Sequence, residues 1–338
     1  MEEEILDIGG KPIPYFRTSE FSKMMFEIEE IFKEVIDAPK DSKFALLTAS
    51  GTGAMEAAVM NIFSEKDKVL VVNGGTFGDR FAKLCKIHQI SYDEIKLSFG
   101  EKLTKDHLKK FNGRDYTGLL VNIHETSTGQ LYDIELLSEF CRQNNMMFVV
   151  DAISSFLADE FSMKKYNVDC VILSSQKALA LAPGLSFLFL SNRAYTKVLE
   201  NEVKSMYFDL KDYFQNMERG QTPFTPAVSI VYQLYAKLKS IRENGVESYI
   251  LKSRNLAQHF RDNVRSLVKI PDYPLSNALT PILVDNAFDI FLRLKEEGIY
   301  VTPSGGKLKD KLLRIGHIGN LTKKDNEVLI SHLERMVK

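Results

Sequence analysis

Short apolar runs bounded by turn residues recur through the first 190 residues, and between them apolar positions fall at helical spacing. Phe44–Leu47, Val69–Val72, Ile90–Leu97, Gly118–Ile123, Met146–Val150, Val168–Leu173 and Leu185–Leu190 read as strands. Phe21, Met24, Met25, Ile28, Ile31, Phe32 and Val35 predict a helix from Ser19, with Pro39 beyond its end. Further helices are expected over Ala54–Phe63, Phe77–His88, Thr104–Phe111 (with Thr104 as N-cap) and Asp133–Asn144. The first dozen residues, with Gly9, Gly10, Pro12 and Pro14, read as an extended arm. Strands that are apolar at successive positions leave no face for water. The expected fold is therefore α/β, a mostly parallel sheet covered by helices on both faces.

The pattern changes after Arg193. Helical spacing dominates Val228–Leu238 and Val246–Leu267, and the tail alternates short strands (Pro281–Val284, Ile299–Val301, Leu312–Ile315) with helices (Phe288–Glu297, Lys324–Met336). This predicts an amino-terminal arm over 1–15, a large domain over 16–230 and a smaller α+β domain over 231–338. No Ser/Gly-rich linker separates the two domains, so the boundary near Val231 is expected inside a long helix.

The length, 338 residues, suits about two domains. A formal net charge of −1 with mixed signs argues against capture of nucleic acid or an anionic membrane surface. No apolar run reaches membrane-spanning length, and the opening Met1-Glu2-Glu3-Glu4 is acidic where a signal peptide would be basic. Cys85, Cys141 and Cys170 form neither a disulfide framework nor a zinc spacing, which points to a reducing cytoplasm.

Candidate chemistry gathers at predicted strand ends. Thr48-Ala49-Ser50-Gly51-Thr52-Gly53 joins a strand to a helix with small residues, so backbone N–H groups and the Ser50 and Thr52 hydroxyls could cradle a phosphate. The turn lacks the lysine of a P-loop, and a tight turn that merely needs glycine remains open. Phe77, after Gly74-Gly75-Thr76, could stack on a planar ring or simply join the core. His124-Glu125-Thr126-Ser127-Thr128-Gly129 crowds hydroxyls onto another strand end, where ligands bind in open α/β sheets. His124 itself reads as a hydrogen-bonded loop histidine, since no metal ligand lies at suitable spacing. Asp151 ends one apolar run and Lys177 follows another, an acid and a lysine suited to pyridoxal phosphate (PLP): the lysine as Schiff base, the acid on the pyridine nitrogen. Arg314 interrupts Leu312-Leu313-Arg314-Ile315, where its guanidinium could grip a carboxylate or form an internal salt bridge.

Taken in this order, the motifs resemble those of class V (fold type I) PLP-dependent aminotransferases, near the alanine–glyoxylate, serine–pyruvate and 2-aminoethylphosphonate–pyruvate branch. The stretches that carry the resemblance are His124 to Gly129, Asp151-Ala152-Ile153-Ser154-Ser155-Phe156, Ser174-Ser175-Gln176-Lys177 and Leu313-Arg314-Ile315-Gly316-His317-Ile318-Gly319. It covers nearly the whole chain, from Phe16 past Arg314. The resemblance implies that Lys177 binds PLP covalently and shuttles the substrate proton, and that Asp151 keeps the pyridine nitrogen protonated. It implies a phosphate turn at Ser50, Gly51 and Thr52, stacking by Phe77, a hydroxyl of Thr126 near the phenolic oxygen, and contact from Gln176. Arg314 would bind the carboxylate shared by donor and acceptor. The stretch Gln221-Thr222-Pro223-Phe224-Thr225-Pro226 is similar to a segment reaching the neighbouring subunit's phosphate, with Thr225 and Thr222 as donors, which implies a homodimer with shared sites.

Transamination of a small amino donor such as alanine or serine with pyruvate or glyoxylate is the expected reaction. A 2-aminoethylphosphonate donor would want an extra cation, for which Lys11, Arg17 and Arg219 are the candidates. The opening Gly9-Gly10-Lys11-Pro12-Ile13-Pro14 is shorter than the family's arm, which bears on substrate choice. A PLP-dependent lyase or desulfurase and a non-catalytic binding protein on the same fold are the alternatives of other classes. A desulfurase needs a mobile-loop cysteine, and none of the three is so placed.

Overall fold

The structure, a computed structural model, describes residues 1–337. It opens with a helix where an extended arm was expected: α1, Glu3–Gly9. Two acids in the first turn suit the helix dipole, and the glycines and prolines begin only at its last residue. Ile5 is buried, its carbonyl accepts from Gln233 Nε2 (3.0 Å), and Glu2 pairs with Lys237 at 2.7 Å. This docking outweighs the weak helix-forming tendency of so short a segment.

The chain continues through α2 (Ser19–Val35), β1 (Lys43–Leu47), α3 (Gly51–Ile62), β2 (Lys68–Asn73), α4 (Thr76–Ile87), β3 (Ser91–Lys96) and α5 (Lys105–Lys109). Next come β4 (Gly118–Asn122), the small hairpin β5 (His124–Glu125) and β6 (Gln130–Leu131), α6 (Ile134–Gln143), β7 (Met147–Asp151), β8 (Cys170–Ser174) and β9 (Ser186–Leu190). Two helices that the sequence pattern did not predict follow, α7 (Asn192–Glu200) and α8 (Leu210–Met217). The remainder is α9 (Val228–Asn244), α10 (Val246–Val264), β10 (Leu279–Leu283), α11 (Ala287–Glu296), β11 (Thr302–Pro303), β12 (Leu312–Gly316) and α12 (Lys323–Met336).

Seven strands form the main sheet in the order β1-β9-β8-β7-β4-β2-β3. Pairings among β8, β7, β4, β2 and β3 are parallel; β9 is antiparallel to both β8 and β1, so one strand alone runs against the rest. The period-two alternation of each strand divides its apolar residues between two cores. Phe44, Leu70, Leu119, Phe148, Val171 and Phe187 face α2, α6 and α9, while Ala45, Val69, Leu120, Val149, Ile172 and Leu188 face α3, α4, α7 and α8. Burial on both faces explains why these strands read as unbroken apolar runs.

A second sheet, β10-β12-β11, is antiparallel throughout and packs Ile282, Leu313 and Ile315 against Phe260 of α10, Leu294 of α11 and Leu333 of α12. Val231 lies inside α9, whose buried face belongs to the first core of the main sheet. Residues 273–276 tie this unit to the β5–β6 hairpin: Tyr273 Oη donates to the Thr128 carbonyl (2.7 Å), and Leu131 N donates to the Pro274 carbonyl (2.8 Å). Among the described residues, no helix is long and apolar enough to cross a membrane.

Candidate active site

Because the strands are parallel, Asn73, Asn122, Asp151 and Ser174 end β2, β4, β7 and β8 along one edge of the sheet. Helix α3 starts at Gly51, three residues earlier than the spacing predicted, with Ser50 as its N-cap; Ser50 Oγ accepts from Gly53 N at 3.4 Å. The small-residue turn is thus the helix's first turn, whose leading N–H groups have no acceptor within the helix. A Cβ on Gly51 would fall 2.4 Å from Ile153 Cδ1, the free end of that side chain, so the turn and Ile153 are in close contact. That closeness seats the turn directly on the residues after Asp151.

Asp151 is buried and pairs across the sheet with Asn122 and Ile172. Its Oδ1 accepts from Ile153 N at 2.8 Å. Burial pushes its carboxyl up to about 7, opposed by that hydrogen bond; nearby Glu125 adds to the rise, while Arg80 and Lys177 oppose it. No cation contacts Asp151 among the described residues. Lys177 lies three residues past β8, partly buried, and burial lowers its pKa, partly offset by Asp151 and reinforced by Arg314. Its backbone is held in a tight loop: Ala180 N donates to the Lys177 carbonyl (2.9 Å) and Leu181 N to the Ser175 carbonyl (3.1 Å).

The hydroxyl stretch packs against both turns. Thr126 Oγ1 lies 2.8 Å from Ser154 Oγ, which links it to the loop after Asp151. Glu125, a fully buried residue that sequence reasoning passed over, organises the neighbourhood. Its carboxylate accepts from Asn122 Nδ2 (3.0 Å), Gly78 N (3.1 Å), Ser127 N (3.2 Å), Phe77 N (3.4 Å) and Ser127 Oγ. It therefore caps α4 from outside that helix and fixes where Phe77 starts. Arg80 was also missed. Its guanidinium donates to Thr52 Oγ1 at 2.8 Å and sits 4.7 Å above the Phe77 ring, joining the phosphate-type turn to the aromatic one. Both signals lay in the sequence only as ordinary charges. The partners that give them meaning, Gly78 for Glu125 and Thr52 for Arg80, are 47 and 28 residues away.

Arg314 lies in the middle strand of the small sheet, opposite Pro281 and Thr302. Its guanidinium donates to the carbonyls of Thr126 (3.0 Å) and Pro303 (2.9 Å), and its Nε is buried without a partner. With Phe77, Phe99, Ser127 and the loop at Ser304–Gly306 it lines a cavity of about 580 Å³ between the two sheets. The internal salt bridge left open by the sequence does not form among the described residues.

Other predicted residues stand apart. Gln176 is exposed, and Thr225 is exposed on the segment before α9. Thr222 is buried and donates to the Phe224 carbonyl at 2.8 Å, within its own turn. Arg17 is held by Gln221 Oε1 and by the carbonyls of Thr222 and Pro223 (3.0–3.3 Å). Lys11 and Arg219 are exposed, and none of the three cations lines the Arg314 cavity. His124, expected to be hydrogen-bonded, is buried with neither ring nitrogen partnered.

The arrangement suits PLP. A buried carboxyl with no cation of its own matches a protonated pyridine nitrogen, and a helix N-terminus with free N–H groups matches a phosphate. A reversed strand in an otherwise parallel sheet, with an acid and a lysine on its carboxyl edge and a small antiparallel unit above, is the architecture of fold type I PLP enzymes. The chain belongs to the class V aminotransferases: the Aminotransferase class-V family model matches residues 15–308, and the chain is a PLP-dependent aminotransferase. It is 30% identical to alanine–glyoxylate aminotransferase 1 of Saccharomyces cerevisiae, over 94% of this chain and 88% of that one. It is 27% identical to L-aspartate–glyoxylate aminotransferase of Paracoccus denitrificans, over 95% and 84% respectively. The crystal structure of alanine–glyoxylate aminotransferase from Nostoc sp. superposes with a TM-score of 0.93 at 23% identity, covering 100% of this chain and 92% of that one.

Proposed function

We propose that this aminotransferase moves the amino group of a small donor, alanine, serine or similar, to a small 2-oxoacid such as pyruvate or glyoxylate, with Lys177 as the residue that binds PLP. The observation that supports this reading is a buried Asp151, hydrogen-bonded by Ile153 N but contacted by no cation, at the same sheet edge as a lysine whose proton affinity burial lowers. When bound, PLP supplies a ring able to take up the electrons of the substrate's Cα–H bond. Lys177 Nζ, whose proton affinity burial lowers, would take and return the Cα proton. Asp151 would hold the ring nitrogen's proton, while the Gly51 and Thr52 amides and Arg80, which contacts Thr52, would hold the phosphate. Phe77 would stack on the ring, and the Thr126 hydroxyl would donate to the phenolic oxygen. Arg314, fixed by two carbonyls, presents its remaining N–H groups to the substrate carboxylate.

Arg314 is the one cation lining the cavity, which suits a partner with a single carboxylate such as a small 2-oxoacid. A 2-aminoethylphosphonate donor is the second reading. A Clostridioides difficile bifunctional phosphonoacetaldehyde hydrolase/aminoethylphosphonate transaminase is 27% identical over 86% of this chain and 48% of that one. Against that reading, none of the three candidate cations reaches the Arg314 cavity. A desulfurase is disfavoured because all three cysteines are buried, with burial pushing the Cys85 thiol up to about 12.

We further propose a homodimer in which the exposed Thr225, with Thr222 behind it, serves the partner's phosphate turn. The large domain would be 16–230 and the small domain 231–338, in a cytoplasmic enzyme. Borohydride reduction of the PLP-loaded enzyme followed by peptide mapping tests the central assignment. A pyridoxyl group on Lys177 is expected, and a reduced adduct elsewhere overturns it. Conversion to the pyridoxamine form by 2-aminoethylphosphonate, but not by alanine or serine, would replace the first reading with the second.

A further inference from the structure

His124 is 2% exposed, and neither Nδ1 nor Nε2 has a hydrogen-bond partner. Buried imidazoles that serve only the fold are ordinarily paired, because an unpaired buried donor or acceptor carries its full desolvation penalty. The main chain here is tied to the candidate site: Asn122 Nδ2, Thr126 Oγ1 and Ser154 Oγ lie 3.4 Å from the His124 carbonyl oxygen, and Arg314 donates to the Thr126 carbonyl two residues on at 3.0 Å. The next residue, Glu125, turns its carboxylate toward the α4 N-terminus, so the alternation of β5 sends the His124 ring the other way. There the charged groups acting on it are Lys177, Arg261 and Arg314, two of them residues of the site. The main chain at Ser154 lies beside the ring without reaching hydrogen-bond geometry. Burial and these cations keep the ring neutral, so one nitrogen carries a proton and the other does not.

We propose that His124 is a further binding residue of the active site, whose neutral ring donates one N–H to an anionic oxygen of the loaded enzyme, either the phenolic oxygen of PLP or the substrate carboxylate held by Arg314. The inference rests on the proposed PLP site. It adds that the residue before Glu125 is a ligand group and not a filler of the loop. The two oxygens are alike in chemistry and differ in when they arrive: one with PLP, the other only with the oxoacid.

The experiment compares wild type with His124→Phe, which fills the space without a polar atom, and His124→Asn, which keeps one donor. First, wild type is reduced with borohydride. If Lys177 is not labelled, the underlying site assignment fails, whatever His124 does. Next, the thermal midpoint of each protein is measured after PLP removal, PLP affinity is measured by titration, and the half-saturating pyruvate and glyoxylate concentrations are measured on the pyridoxamine form. For His124→Phe a cofactor-free midpoint equal to wild type or ~2 °C higher is expected. One of the two affinities should fall about tenfold, the loss of ~1.4 kcal/mol. A fall in PLP affinity identifies the phenolic oxygen; a fall confined to the oxoacids identifies the carboxylate. His124→Asn should recover part of the loss, and it carries the same comparison if His124→Phe does not fold. Affinities within twofold of wild type, or a cofactor-free midpoint that drops, would mean that the ring serves the fold alone and would overturn the proposal.

Discussion

Replacing Asp151 by Asn should make the PLP-free protein more stable and the loaded enzyme far less active. The Asp151 carboxyl titrates at about 7 in the folded chain against an ordinary 3.8, with burial as the main cause. The folded state therefore holds this proton more tightly than the unfolded chain. Its stabilising contribution is complete below about pH 4, declines as pH rises, and is gone above about pH 7. At ~1.4 kcal/mol per pH unit, a separation of about three units amounts to about 4 kcal/mol. The amide introduced by Asp151→Asn keeps the hydrogen bond from Ile153 N, which the wild-type side chain accepts at 2.8 Å, but carries no charge to desolvate. The difference in unfolding free energy between mutant and wild type should thus be flat below pH 4, grow through pH 5 and 6, and level off above 7. Urea titrations of both PLP-free proteins at pH 4, 5, 6, 7 and 8 read this curve. Asp159 also titrates high, at about 6, but it is common to both proteins and cancels. With PLP bound, the neutral amide cannot hold the ring nitrogen's proton, and kcat should fall at least ~100-fold. A stability difference that does not change between pH 4 and 8 would refute the argument, as would an Asp151→Asn enzyme with wild-type kcat.

Arg314→Ala should raise KM for pyruvate or glyoxylate by ~100-fold, about 3 kcal/mol of charge-assisted binding, while PLP absorbance is retained. Loss of PLP with unchanged KM would contradict the role given to it. Glu125→Ala strands the Gly78, Phe77 and Ser127 amides, and should cost about 3 kcal/mol in chemical denaturation; Glu125→Gln, which keeps the acceptor oxygen, should cost less than half as much. Gly78→Ala places a methyl 2.5 Å from the Val72 carbonyl oxygen and 2.6 Å from Asn73 Cα. Both are backbone atoms, so α4 must move. A loss of ~3 kcal/mol is expected, with PLP affinity reduced as Phe77 shifts.

Most of the main sheet could be read from apolar runs, because strands buried on both faces leave the plainest mark a sequence can carry. Asp151, Lys177 and Arg314 stood out as candidates for a related reason: each is a charge set beside an apolar run. The misses have physical causes too. Helix α1 is made by its contacts with Gln233 and Lys237, more than 200 residues away, and its local sequence gives only a weak signal. Helix α7 buries only Ala194 and Val198, so few apolar positions mark it, whereas α8 sets Leu210, Tyr213, Phe214 and Met217 at helical spacing in only eight residues, a signal that sequence reasoning passed over. Glu125 and Arg80 act through partners brought close by the fold, and nothing about a lone Glu or Arg announces this. His124 was misread because a sequence cannot show that a ring lacks partners.

The placement of β1 bears on the order in which the enzyme can be completed during synthesis. It sits at the edge of the sheet and pairs with β9 alone, Lys43–Leu47 against Ser186–Leu190. The strand leading into Ser50 and Gly51 thus has no sheet partner until some 140 residues later, after Lys177 has emerged from the ribosome. The Ser50–Gly51 turn and Lys177 are locked into the sheet by the same late strand. With the cofactor site as proposed, a nascent chain cannot offer half of it, and capture of the cofactor waits until both halves exist.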